Sequence, residues 1–200
     1  NSSYSANTAG TISGLGDEAV TLSDLSISAT NASSIDALTS GVVTVSATTI
    51  TGTYLELNTI YTANAAGTIS GLGDEAVTLS DTTLAADVLN AVNSYTSGIV
   101  NASSITTLTG AYTDLNTAYA ADTAGTISGL GNEAVTISDT SLAASVLNTL
   151  EANTTGVINA GSVRTLTGAA ADISRTYALN LIGRVSDLGN EEVTLSDKTV

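Results

Sequence analysis

GLGDEAVTLSD occupies Gly14–Asp24, and the same eleven letters return at Gly71–Asp81. GLGNEAVTISD follows at Gly129–Asp139 and DLGNEEVTLSD at Asp187–Asp197. The starts lie 57, 58 and 58 positions apart, so the chain is built on a fixed internal period. The shorter first step has a location. GVVTVSATTITG (Gly41–Gly52) has twelve letters where GIVNASSITTLTG (Gly98–Gly110) has thirteen. We read residues 1–200 as a single repeat array, with a partial copy at 1–13, copies at 14–70, 71–128 and 129–186, and a partial copy at 187–200. The chain opens on Asn, contains no Met and starts partway through a copy, which reads as a processed product or a segment of something longer.

Outward from the second phrase runs TTLAADVLNAVNSYTSG (Thr82–Gly98), in which Leu84, Val88, Leu89 and Val92 form one apolar helical face. Leu142, Val146, Leu147 and Leu150 repeat it. Asp81 or Thr82 is predicted to cap this helix at its N-terminus, and Gly98 and Gly156 to stop it and its counterpart. The first copy places Asn31 where Val88 stands, so residues 25–38 read as degenerate, strand-like at their start. Next come two β-branched runs, Ile99–Val100 and Ile105–Leu108, around a tight bend. Tyr112, Leu115 and Tyr119 then give a second helical spacing. Each period thus divides into two halves of roughly 29 residues, each helix, strand, bend, strand.

Units this short cannot bury a core alone, and stacking lets them share one. The predicted fold is α/β, a solenoid of stacked helix-strand-bend-strand units; the alternative is a right-handed parallel β-helix. A leucine-rich repeat ranks below both, since its LxxLxLxxN spacing is absent. Tyr4, Tyr61, Tyr119 and Tyr177 recur at the period and should form a column along one side. We read that column as core and seam in preference to a carbohydrate-binding strip.

Composition narrows the chemistry. There is no Cys, His, Met, Trp, Phe or Pro, which removes disulfides, thiolate and imidazole ligands and the His- or Cys-based catalytic arrangements. The net charge is −15, from 19 acidic and 4 basic residues. Such a surface repels phosphate backbones and anionic headgroups, so nucleic acid and membrane insertion are set aside as partners. No apolar run is long enough to span a bilayer. All four basic residues, Arg164, Arg175, Arg184 and Lys198, fall in the last part of the chain. Opposite an acidic beginning (Asp17 to Asp36) they form a candidate interface for head-to-tail self-association.

The pairs Asp17–Glu18, Asp74–Glu75, Asn132–Glu133 and Asn190–Glu191 follow Leu-Gly in the bend. Oxygen ligands of this kind suit Ca²⁺, the one cofactor the sequence suggests. Neither the nonapeptide G-G-x-G-x-D pattern nor an EF-hand loop is present, so the bend reads first as a turn with solvated acids. Asp24, Asp81, Asp139 and Asp197 read as helix caps. Recurring Thr21, Thr78, Thr136 and Thr194, with Thr51, Thr109 and Thr167, read as sheet formers in preference to an ice-ordering face. Arg164, Asp172 and Arg175 are the nearest approach to a non-repeated cluster, and a single active site would require one.

The phrases GLGNEAVTISDTSLAASVLNTLEANTTG (Gly129–Gly156) and INAGSVRTLTGAAADI (Ile158–Ile173) resemble repeats of very large secreted or cell-surface proteins of marine cyanobacteria, often labelled calcium-binding or hemolysin-like. The resemblance covers essentially the whole chain. It implies an extracellular structural array without catalytic residues. The expected function is therefore that of a non-catalytic structural repeat segment of a cell-surface or filament-forming protein. The alternative is a calcium-dependent adhesion or polysaccharide-binding module.

Overall fold

The computed structural model describes residues 2–197. It is α/β, as the periodicity predicts, and its strands pair in parallel. The chain divides into two compact units that interleave in sequence. One holds residues 1–81 and 92–101, the other 82–91 and 102–200.

In the first unit, α1 (Ser2–Thr8) precedes β1 (Val20–Leu22), β2 (Ser26–Ser28), α2 (Ala29–Asp36), β3 (Val43–Val45) and β4 (Thr49–Gly52). Then come α3 (Tyr54–Ala66), β5 (Ile69–Ser70) and β6 (Ala76–Leu79), and, after the chain leaves and re-enters, β8 (Val100–Asn101). One sheet is ordered β1-β3-β5; a second runs β2-β4-β6-β8. The second unit contains β7 (Thr83–Ala85), β9 (Thr107–Gly110), α5 (Tyr112–Ala124), β10 (Ile127–Ser128), β11 (Ala134–Ile137) and β12 (Ser141–Ala143). It continues through α6 (Ala144–Glu151), β13 (Ile158–Asn159), β14 (Thr165–Gly168), α7 (Ala170–Leu181), β15 (Val185–Ser186) and β16 (Glu192–Leu195). Its sheets run β15-β13-β11-β9-β7 and β12-β14-β16. Helix α4 (Ala86–Tyr95) straddles the boundary between the units.

Alternation explains the strands. Val77 and Leu79 of β6 point inward and are almost fully buried, while Ala76 and Thr78 are half-buried. Val135 and Ile137 do the same in β11. Parallel register then places like over like: Ile50 on Val77, Leu108 on Val135. The recurring threonines fall on the opposite face and pair with one another, Thr51 with Thr78, Thr109 with Thr136 and Thr167 with Thr194. Helices close the other side of each interior, with Leu57 and Ile60 of α3 and Leu147 and Leu150 of α6 fully buried. The deletion in the first copy sits in the bend between β3 and β4. Ala47 is buried in this bend, and Ile105 in that of the second copy.

Three local readings are corrected. The helix after the second phrase begins at Ala86, because Thr83–Ala85 pairs with β9 as strand β7; alternate halves thus carry an extra short strand. The first copy keeps its helix, α2, capped by Ser28. Asn31 is tolerated there because Val88, its counterpart, lies only half-buried on the helix side while Ala29, Ala32 and Ile35 face the core. Gly98 and Gly156 are not helix stops. A Cβ on either would collide with the carbonyl of Glu75 or Glu133, so glycine is required for close approach. The left-handed helix ends belong to Gly67 and Gly125.

Candidate functional site

The acidic pair of each bend splits into two roles. Its second member, the glutamate, turns inward. Glu75 and Glu133 are 2% and 1% exposed, the least exposed charged residues among those described. Gly71 (φ 83) and Gly73 (φ 129) coil the bend so that successive amides converge on the carboxylate. Glu75 Oε2 accepts from the amides of Gly73 (2.8 Å) and Asp74 (3.2 Å), and Oε1 accepts from the hydroxyl of Tyr61 on α3. Glu133 repeats this with Gly131 (2.8 Å), Asn132 (3.1 Å) and Tyr119 on α5. Glu18 does so with Gly16, Asp17 and Tyr4, and Glu191 with Gly189, Asn190 and Tyr177.

A second layer closes over the bend. The Thr96 hydroxyl donates to the Glu75 carbonyl (2.6 Å) and accepts from the Gly98 amide (2.9 Å), and the Ser97 amide donates to the Gly73 carbonyl (2.8 Å). Thr39, Ser40 and Gly41 clasp Glu18 and Gly16 in the same way, and Thr154, Thr155 and Gly156 clasp Glu133 and Gly131. The four-residue arrangement of Tyr, Glu, Thr and Gly is a lock that ties helix, bend and the following half-repeat together.

Protonation follows the geometry. Burial, with the adjoining Glu75 carboxylate, pushes the Tyr61 phenol far above its usual range, and burial with Glu133 does the same to Tyr119. Burial and Glu191 raise Tyr177 to about 12. The Tyr4 hydroxyl and the Gly16 amide hold Glu18 below the usual carboxylate range. At Glu191 burial works the other way, but the Tyr177 hydroxyl and the amides of the bend outweigh it and the shift is downward.

The first members, Asp17, Asp74, Asn132 and Asn190, stand at the bend surface, and all four are exposed. Among the described residues no group of three or more Asp or Glu is placed to hold a metal ion. Of the basic residues, Arg184 reaches Glu151 (3.0 Å) and the carbonyls of Thr154 and Thr155, and Arg175 lies 3.8 Å from Glu151. Arg164 lines a cavity with Asp187, and Asp172 accepts through its carbonyl from Asn148 (3.1 Å). Lys198 lies outside the described residues.

Three of the four phrase-ending aspartates cap helices, and these are not the helices that follow them. Asp81 accepts from the Tyr54 amide (2.8 Å), Asp139 from Tyr112 (2.7 Å) and Asp197 from Ala170 (2.6 Å), each 27 residues earlier. The need is plain at α5 and α7, whose own N-cap residues are Ala111 and Ala169, with no side chain able to accept. The one trace of the Tyr–Glu pairing in the sequence is that both recur at the period, always 14 residues apart, a constancy that repeated columns share in general.

No family model, no curated protein and no solved structure matches this chain. No helix among the described residues is long and apolar enough to cross a membrane.

Proposed function

We propose that this chain is a non-catalytic structural repeat segment of an extracellular, cell-surface or filament-forming protein, its copies stacked as a solenoid and able to associate head to tail. One observation carries the reading. In every copy the most chemically capable side chain, the glutamate of the acidic phrase, spends both oxygens on the same three internal donors. A carboxylate so engaged is scaffolding, and a scaffold made of identical short units gains stability from each neighbour it stacks on. Parallel ladders that place Val, Leu and Ile of one half-repeat over those of the next support the same view. So does the charge asymmetry between an acidic start and a basic end.

Two measurements test it. Thermal melting with added Ca²⁺ or a chelator should give one and the same midpoint, because a ligand held only by the folded state would raise it by mass action. A calcium-dependent rise would favour the adhesion or polysaccharide-binding reading instead. Electron microscopy at low and high salt should show end-to-end assemblies that salt disperses; separate particles under both conditions would remove head-to-tail association.

A further inference from the structure

The third copy departs from the others at one place, and the departures face one another. In the first two copies a serine stands across from a glycine. Ser46 lines one cavity with Gly71, and a Cβ on Gly129 would come within 2.8 Å of the Ser103 amide nitrogen. In the third copy both positions change: Gly161 stands at the serine position and Asp187 at the glycine position. A Cβ on Gly161 would lie 3.2 Å from the Cβ of Asp187, so the glycine makes the room that the aspartate fills. A third change accompanies these two. Arg164 replaces the threonine found at Thr48 and Thr106.

Asp187 keeps the backbone of the glycine it replaces. Its φ is 64, and among the described residues it is the only one other than glycine with a positive φ. A side chain in that region is strained, and strain that persists points to a role beyond the turn itself. The three changes converge on one open cavity of about 550 Å³, lined also by Asn159 and Asn190. The counterpart lined by Ser46, Thr48 and Gly71 measures about 300 Å³.

The two charges in this cavity are opposite and unpaired with each other. Among the described residues the ion pairs are those of Arg175 and Arg184 with Glu151. Arg164 is steered instead by neutral groups, its Nη1 donating to the carbonyls of Gly161 (2.7 Å) and Val163 (3.2 Å). Asp187 Oδ2 accepts from Asn159 Nδ2 (2.8 Å) and Ser186 Oγ (3.0 Å). A cation and an anion held apart across a polar cavity complement a molecule that carries both charges. A purely anionic ligand would meet Asp187 and a chain of net charge −15, and a purely cationic one would meet Arg164. No aromatic ring lines the cavity, so a sugar ring or a quaternary ammonium has no face to lie against.

We propose that this cavity binds a small zwitterion of the amino-acid type, its carboxylate on Arg164 and its ammonium on Asp187, with the Asn159 and Asn190 amides on its flanks. Gly161 is a positioning residue that gives Asp187 its place. Gly161, Arg164 and Asp187 are residues that the repeat does not share, so the site does not rest on the scaffold role proposed above.

The test is titration of the intact, isotopically labelled chain with L-alanine, β-alanine and γ-aminobutyrate, read at the Asp187 amide and the Asn159 and Asn190 side-chain resonances. At least one of the three should shift these signals saturably, and N-acetylation of that ligand should weaken it about tenfold or more, because one charge-assisted contact is lost. Arg164→Thr and Asp187→Gly, which restore the residues of the other copies, should each weaken binding by a similar factor. The Tyr177 phenol should still titrate late in both, showing that the fold is intact. Absence of binding by all three probes at about 10 mM, equal binding of the acetylated form, or unchanged binding by either variant would overturn the proposal.

Discussion

At Glu133 one carboxylate serves three donors in a site that is 1% exposed, and the Tyr119 hydroxyl is the only one of the three that a substitution can remove cleanly. Tyr119→Phe should cost about 1–2 kcal/mol and Glu133→Ala about 3 kcal/mol in urea unfolding, the larger loss because it strands a buried hydroxyl and two amides. The double variant should cost less than the sum, with a coupling of about 1 kcal/mol or more; additive losses would mean that the two do not interact. The same lock sets the response to alkali. Tyr61, Tyr119 and Tyr177 have raised values in the folded protein, so their stabilising effect is whole below the ordinary phenol value of about 10 and is lost as pH rises toward the folded values. Absorbance at the phenolate band should therefore show these three tyrosines ionising only with unfolding. At the acid end Glu18 and Glu191 are lowered, so their effect is present above the ordinary carboxylate value and is lost as pH falls through the lowered ones. Asp187→Gly should raise the melting temperature, since glycine adopts the φ of 64 without the strain of a side chain; a fall would show that the bonds to Asn159 and Ser186 outweigh that strain.

At the scale of elements, the helices of this protein are finished by residues far from them in sequence. Asp139→Ala should cost about 1 kcal/mol and speed hydrogen exchange of the Tyr112 amide, while leaving the amides that open α6 unchanged. Gly98→Ala should be far worse than Gly67→Ala. The first drives a Cβ into the Glu75 carbonyl, whereas the second meets nothing within 4 Å and bears only the strain of its left-handed φ, about 1 kcal/mol. Comparing the two melts checks this directly. These cases also mark what a sequence can and cannot disclose. Period, class and the strand-bend-strand rhythm were legible because glycine and β-branched residues impose them locally. The caps were legible as chemistry but assigned to the wrong helices, since only the ladder register brings Asp81 to Tyr54. The helix start at Ala86 was missed because Leu84 satisfies a helical face and a strand interior equally well. Tyr61 and Glu75 were each visible as columns, yet nothing local says that a phenol on a helix will reach into a bend 14 residues on.

For the molecule as a whole, the proposed stacking makes one 58-residue copy interchangeable with the next, because the locks of Tyr61, Tyr119 and Tyr177 join like residues at the same 14-residue spacing. Excision of residues 71–128 tests this most directly. The junction joins Ser70 to Gly129, which restores the 14-residue spacing between Tyr61 and a phrase glutamate, now Glu133, and leaves the order of strands unbroken. A stack of equivalent units should fold after this loss, unfold cooperatively, and show a denaturant slope reduced roughly in proportion to the length removed. A shortened chain that lacks a cooperative transition, or whose tyrosines all ionise near the ordinary phenol value, would contradict the account.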